Sequence, residues 1–392
     1  MSKKSSFYDY NLIAVILLLT CFGLVMLYST SAYTAEIEFG DDMFFFRRQA
    51  IITAATIVIA MGISLIDYHI LWNFSWLIYI GSTVLMIAVR FVGSSSHGAR
   101  RWLKIGIEFQ PAEIAKIAVI TFVPMLIIRI GRDIKRLTWV LLLMTAGLAL
   151  SVIALVFTDN LSTAIIIFAI DWVIVFVAHP KTRPFIITAV IVLILTVIGV
   201  LWLWNVAEMG MNFRIDRILV WQNPEKYSGS GGYQIMQALY AIGSGGFFGK
   251  GLGNSMQKLG WLPEAQNDMI FPIIIEELGI FGGLIVLILY LYLLYRLMFI
   301  AQNAPDEYGT LMVTGVFAHV AVQVIFNICV VLNLIPATGV TLPFISYGGT
   351  SVFFLMMEIA IALSVSRRIY LGRDIEKQRD LWGDVVETGA GD

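Results

Sequence analysis

Mostly apolar runs of about 17–25 residues, each long enough to cross the hydrocarbon core of a bilayer, follow one another along nearly the whole chain. Ten spans are predicted, over Leu12–Thr30, Arg48–Ile66, Leu71–Val92, Ala112–Ile130, Leu137–Phe157, Leu161–Ala178, Phe185–Trp204, Met269–Phe299, Leu311–Leu332 and Gly349–Tyr370. The first follows Lys3 and Lys4 and lacks a small-residue cleavage site, so it reads as a retained helix rather than a signal peptide. Most connections are short, but Asn205 to Met269 is long and mixed in character. The expected fold is therefore an all-α polytopic membrane protein of about ten transmembrane helices, with one long extracellular loop between helices 7 and 8. Residues 1–370 would form a single membrane domain, 205–268 its long outer loop, and 371–392 a short cytoplasmic tail.

An even number of spans puts both termini on one side. Arg129, Arg132, Lys135, Arg136, Lys181, Arg183, Arg296 and a basic tail from Arg367 to Arg379 fall on that side with Lys3 and Lys4. The short loops opposite hold only Arg47, Arg48, Arg90, Arg100, Arg101 and Lys104. Positive charge favours the cytoplasmic face, so both termini are expected in the cytoplasm, although Arg100, Arg101 and Lys104 run against that trend.

Composition agrees with lipid as the solvent: 59% of the 392 residues are hydrophobic and 14% charged, against roughly 45–50% and about 25% in ordinary globular chains. A net charge of -1 excludes the concentrated positive field of a nucleic-acid binder. Cys21 and Cys329 sit in apolar runs without a partner at metal or redox spacing, and read as plain core residues. The histidines, His69, His97, His179 and His319, form no His-x-x-x-His pair, so no zinc site is indicated.

Several positions depart from membrane filler. Gly243, Gly245, Gly246, Gly249, Gly251 and Gly253 crowd a stretch that cannot form a long regular helix, and they fit neither a P-loop nor a dinucleotide fingerprint. Leu262-Pro263-Glu264-Ala265-Gln266-Asn267-Asp268 then runs directly into an apolar span. A carboxylate at such a boundary is partly desolvated, which raises its pKa and suits a general base. Asp268 is thus singled out, the alternative being that it caps the following helix. Glu276 and Glu277 lie inside a span, where an ionisable group costs at least about 2.5–3.5 kcal/mol, and should face protein or a cavity. Glu113 and Lys116 share a helix face at i,i+3, as a functional pair or as a structural ion pair. Arg100, Arg101, Trp102 and Lys104 suit an anionic headgroup or diphosphate, or anchor the interface. The Pro- and Gly-broken loop from Pro336 to Ser351 suggests a groove, or a tight crossing of helices at small residues.

Together these segments resemble the SEDS family, the FtsW, RodA and SpoVE proteins, across essentially all ten spans. The most specific blocks are Gly98 to Leu103, Gln110 to Lys116, Tyr233 to Lys258, Leu262 to Gly279 and Pro336 to Ser351. Gly251 to Lys258 and Phe344 look more like the FtsW/SpoVE branch than RodA. Where the family usually reads Leu-Pro-Glu-x-His-Thr-Asp-Phe, this chain has Gln266, Asn267 and Met269 at the His, Thr and Phe positions. The family's Gln-Pro-Asp-Leu-Gly-Thr reads Thr158-Asp159-Asn160-Leu161-Ser162-Thr163, which leaves the role of that acidic position open.

The resemblance implies a peptidoglycan glycosyltransferase that polymerises lipid II at the outer face of the cytoplasmic membrane, for cell division or related wall synthesis. Asp268 would be the catalytic base and undecaprenyl diphosphate the leaving group. Arg101, Trp102, Glu113, Lys116, Lys258, Glu264, Glu276 and Ser346 are the candidate substrate-binding residues. No cofactor is required by the sequence, although a divalent cation, Mg or Mn, is chemically sensible at the diphosphate. Expected partners are lipid II as donor and acceptor, a class B penicillin-binding protein, other divisome or elongasome membrane proteins and membrane lipids. The alternatives are a lipid II flippase, which intramembrane Glu113, Lys116, Glu276 and Glu277 would also suit, and a non-catalytic divisome scaffold.

Overall fold

The structure is a computed structural model that describes residues 7–96, 99–105, 107–206 and 213–369. Expectations for Lys3, Lys4, His97, Gly98 and the 371–392 tail lie outside the described residues. Twelve α-helices are described: α1 (Tyr10–Phe39), α2 (Phe44–Ser64), α3 (Ile70–Val92), α4 (Pro111–Ile130), α5 (Leu137–Phe157), α6 (Leu161–Ala178), α7 (Arg183–Val206), α8 (Phe213–Gln222), α9 (Tyr233–Gly245), α10 (Ile270–Gln302), α11 (Glu307–Val331) and α12 (Gly349–Ser366). Nine of these, α1–α6 and α10–α12, are long and apolar enough to cross a membrane. The seventh expected span is occupied by α7, whose apolar stretch covers Arg183–Gly199.

Helices prevail because the bilayer core offers a backbone no water, and a helix satisfies its own N–H and C=O groups. Their apolar character extends round the circumference. In α1, Leu12, Ile16 and Leu19 are buried while Leu17, Leu18 and Val25 face outward, as expected where lipid meets one side and protein the other. Cys21, free like Cys329, also faces outward rather than into the core. The most enclosed helices are α4, α11 and α12.

Two features go beyond plain helices and a long loop. Between α3 and α4 the chain forms a three-stranded antiparallel sheet, β1 (Ser94–Ser96), β2 (Ala99–Ile105) and β3 (Ile107–Phe109), in the order β1-β2-β3. The connection between α7 and α10 is not irregular throughout, for it contains α8 and α9. α10 is itself interrupted at Gly279, whose φ of 73° and ψ of -178° are not helical. The break lets the Glu276 and Glu277 carbonyls accept from Lys250 N at 2.9 Å and Gly251 N at 2.8 Å. In return Ile280 N donates to Gly246 O at 3.0 Å. A Cβ at Gly249 would lie 2.2 Å from Glu277 O, and one at Gly279 2.1 Å from Phe247 O. The glycine crowding thus has its cause in two backbones that touch.

Candidate active site

Asp268 ends a tight turn. Glu264 takes a left-handed φ of 56°, uncommon and strained for a residue with a side chain, and its carbonyl accepts from Asn267 N at 2.9 Å and Met269 N at 3.3 Å. The Asn267 amide donates to the Glu264 carboxylate, so Asn267 gives this turn a side-chain tie. α10 takes Met269 as its N-cap without a side-chain cap bond, so the Asp268 carboxylate does not play the capping part.

A second loop covers Asp268. The would-be Cβ of Gly339 lies 3.9 Å from Asp268 Oδ2. Donors from three helices hold the carbonyls on either side of Gly339. Arg217 on α8 donates to Ala337 O at 3.1 Å, Ser162 on α6 to Thr338 O at 3.0 Å, and from α11 Asn327 donates to Val340 O at 2.8 Å and Gln323 to Thr341 O at 3.0 Å. Burial raises the Asp268 pKa to about 7, with help from the nearby Glu264 charge and against the opposing pull of its own backbone N–H and of Arg217. Near neutral pH such a carboxylate can both take and release a proton.

Cations stand beside it. Burial and the Arg101 charge lower the pKa of Arg217, while Asp268 raises it, so Arg217 feels both groups. Arg101 projects from β2 and is docked on the α5–α6 turn, donating to Thr158 O at 3.3 Å and Asp159 O at 2.8 Å. Asp159 adopts a φ of 49°, and next to it Asn160 caps α6 by accepting from Thr163 N at 3.1 Å. An amide does the capping where the family pattern places an acid. Trp102 follows Arg101 on the strand, so the two side chains leave opposite faces of the sheet. Two guanidinium groups that repel each other near one carboxylate form a place where a multiply charged anion is favoured.

The other expected contacts are held elsewhere. Lys258 Nζ ends on Glu277 Oε1 at 2.7 Å and Ser29 Oγ at 2.9 Å. Glu276 is fully buried, paired with Lys250 at 2.6 Å and accepting from Ser255. These contacts fasten the glycine loop onto α10. Glu113 and Lys116 are ion-paired at 2.8 Å and buried, and Lys116 Nζ lies 3.0 Å from His319 Nε2, whose Nδ1 is 2.6 Å from Glu358 Oε2. Ser346 closes the Leu342 turn, its hydroxyl accepting from Leu342 N at 2.9 Å.

Sequence reasoning missed Arg217, Gln323, Asn327, His319 and Glu358. The signal for the last four was polarity inside an apolar span, with His319, Gln323 and Asn327 at four-residue spacing. Among the described residues no group of three or more His, Cys, Asp or Glu side chains could hold a metal ion.

The model of the FtsW/RodA/SpoVE family, described as a cell cycle protein, matches residues 9–370. Stage V sporulation protein E of Bacillus subtilis (strain 168) is 36% identical over 375 residues, 94% of this chain and 99% of that protein. A probable peptidoglycan glycosyltransferase FtsW of the same organism is 34% identical over 397 residues, 97% of this chain and 96% of that protein. A chain in a solved structure, described as structural coordination of polymerization and crosslinking by a peptidoglycan synthase complex, is similar with a TM-score of 0.76 and 25% identity, over 93% of this chain and 99% of that one. With most of its length matched by the family model and by relatives from the branch its motifs suggested, the chain belongs to the FtsW/RodA/SpoVE family.

Proposed function

We propose that this chain is a multi-pass membrane peptidoglycan glycosyltransferase that joins lipid II units into glycan strands at the outer face of the cytoplasmic membrane. Both termini lie in the cytoplasm, residues 1–370 act as one membrane domain, and the 205–268 segment carries the catalytic acid on the outer side. The acceptor's sugar hydroxyl oxygen attacks the anomeric carbon of the donor, and the bond from that carbon to the diphosphate oxygen breaks. The hydroxyl proton goes to Asp268, and the bonding electron pair leaves with undecaprenyl diphosphate. The observation that carries this reading is a carboxylate packed against the Gly339 loop, raised in pKa by burial and coupled to Arg217, which Arg101 also influences.

A group poised near the working pH takes the proton as it comes off the nucleophile, a contribution of about 10²–10⁴-fold. Arg101 and Arg217 stabilise the charge that grows on the diphosphate. Any divalent cation would be carried by the substrate's own phosphates. A relative solved in a complex that polymerises and crosslinks supports a transpeptidase partner of the class B penicillin-binding type.

The test is strand formation from purified lipid II by detergent-solubilised protein, with and without a class B partner. Wild type should polymerise, and a folded Asp268→Ala protein should lose at least about a hundredfold in kcat. Equal polymer from both would remove Asp268 from the chemistry. No polymer from wild type with a validated partner would turn attention to lipid II movement across liposomes.

A further inference from the structure

α11 carries His319, Gln323 and Asn327 at four-residue intervals, so they share one face and climb the helix by about 6 Å per step. All three are buried. The lowest meets Lys116 and Glu358, and the middle one holds Thr341. The uppermost reaches the candidate base. Asn327 Nδ2 donates to the carbonyl of Asp268 at 2.8 Å and to that of Val340 at 2.8 Å. Both neighbours are carbonyl acceptors, so the NH₂ group must face them.

One amide therefore ties the residue that bears the carboxylate to the loop that packs against that carboxylate through Gly339. Asn327 Oδ1 has no hydrogen-bond partner among the described residues. An unmatched buried acceptor costs about 1–3 kcal/mol, which a leucine of similar bulk would avoid. Packing alone does not account for an asparagine here, whereas a need to hold two carbonyls at once does.

Resting on Asp268 as the base, we infer that Asn327 is a positioning residue for the glycosyl transfer, one that fixes the Asp268 main chain against the Gly339 loop so that the carboxylate meets the incoming hydroxyl. Without this tie the turn and the loop separate, more water reaches the carboxylate, which is already partly exposed, and its distance to the hydroxyl is no longer defined. Misplacement of a reacting group by about 1 Å can lower a rate about a hundredfold.

The experiment measures kcat and KM for lipid II polymerisation across pH 5.5–9 by the full chain with its class B partner, for wild type, Asn327→Leu, Asn327→Asp and Asp268→Asn. For Asn327→Leu, kcat should fall about tenfold or more while KM stays within about threefold. The acidic midpoint of its kcat profile should move to lower pH as the carboxylate gains water. Asn327→Asp keeps the shape but, when ionised, donates to neither carbonyl and sets a like charge near Asp268, so its kcat should fall at least as far while its midpoint moves to higher pH. A wild-type kcat, a raised KM with kcat intact, or a lost kcat with an unmoved midpoint overturns the inference. If Asn327→Leu does not purify as a folded protein, Asn327→Asp is judged by the same kcat and KM criteria. If Asp268→Asn still polymerises, the base assignment falls. If Asp268→Asn is inactive and Asn327→Leu matches wild type, only the role of Asn327 falls.

Discussion

At the scale of single residues, the property that suits Asp268 to catalysis also weakens the fold. Its pKa rises from 3.8 to about 7 because burial disfavours the charge. Between those values the native chain keeps a proton that the unfolded chain has released. The contribution of this residue to stability is therefore full below about pH 4 and is lost as the pH rises through about 7. Asp268→Asn removes the charge with little change of shape. Its unfolding midpoint should match wild type near pH 4–5 and exceed it at pH 8, by roughly 2–4 °C for each kcal/mol relieved. The measurement is thermal unfolding in detergent at the two pH values, and a mutant no more stable than wild type at pH 8 would contradict burial as the cause. In the polymerisation assay the opposite sign holds for wild type, whose rate should fall as acid protonates the base through the same range.

At the scale of elements, the glycine loop and α10 are held by buried ion pairs across a broken helix. Lys258 meets Glu277 at 2.7 Å with Glu277 fully buried, and Lys250 meets Glu276 at 2.6 Å. Removing one partner of such a pair leaves a bare charge and costs about 3–5 kcal/mol, whereas removing both is often near neutral. Lys258→Met should therefore lower the unfolding temperature strongly, and Lys258→Met with Glu277→Gln should recover most of it. If Lys258 instead contacts substrate, the double variant would regain stability but show a raised KM for lipid II, so both quantities are measured. This element also shows how far the sequence could be read. Apolar runs located the spanning helices because lipid imposes one simple rule on every segment. Asp268 could be singled out because a polar turn meets an apolar run. The pairing of Lys258 with Glu277 could not, since Ser29 on α1, which shares both groups, is far away in sequence. Arg217 was hidden for the same reason, being one of several basic residues in a long segment until the fold brought it to Asp268 and Arg101.

At the scale of the whole molecule, the same rule explains what lies at the centre. α4, α11 and α12 are the most enclosed helices, and they are joined by Glu113, Lys116, His319 and Glu358. Lys116 Nζ meets His319 Nε2, and His319 Nδ1 meets Glu358 Oε2. The contacts run as a chain across three helices, while Glu113 Oε2 and Glu358 Oε1 have no hydrogen-bond partner among the described residues. The fully apolar packing of lipid-facing surfaces cannot choose one rotation of a helix over another, whereas a chain of buried ionic contacts tolerates only one. Lys116 is the link in the middle, with contacts on both sides. Lys116→Met should lower the unfolding temperature by an amount corresponding to about 3–5 kcal/mol, because it strands Glu113. Adding Glu113→Gln should restore a large part of the loss. The measurement is thermal unfolding of the single and double variants, with lipid II polymerisation assayed below both midpoints. Recovery of stability together with activity would make the quartet a device for fixing the bundle. Recovery of stability without activity would show that Lys116 also acts on the substrate's charge, through the first turn of α4, which follows β3 in the sheet that carries Arg101.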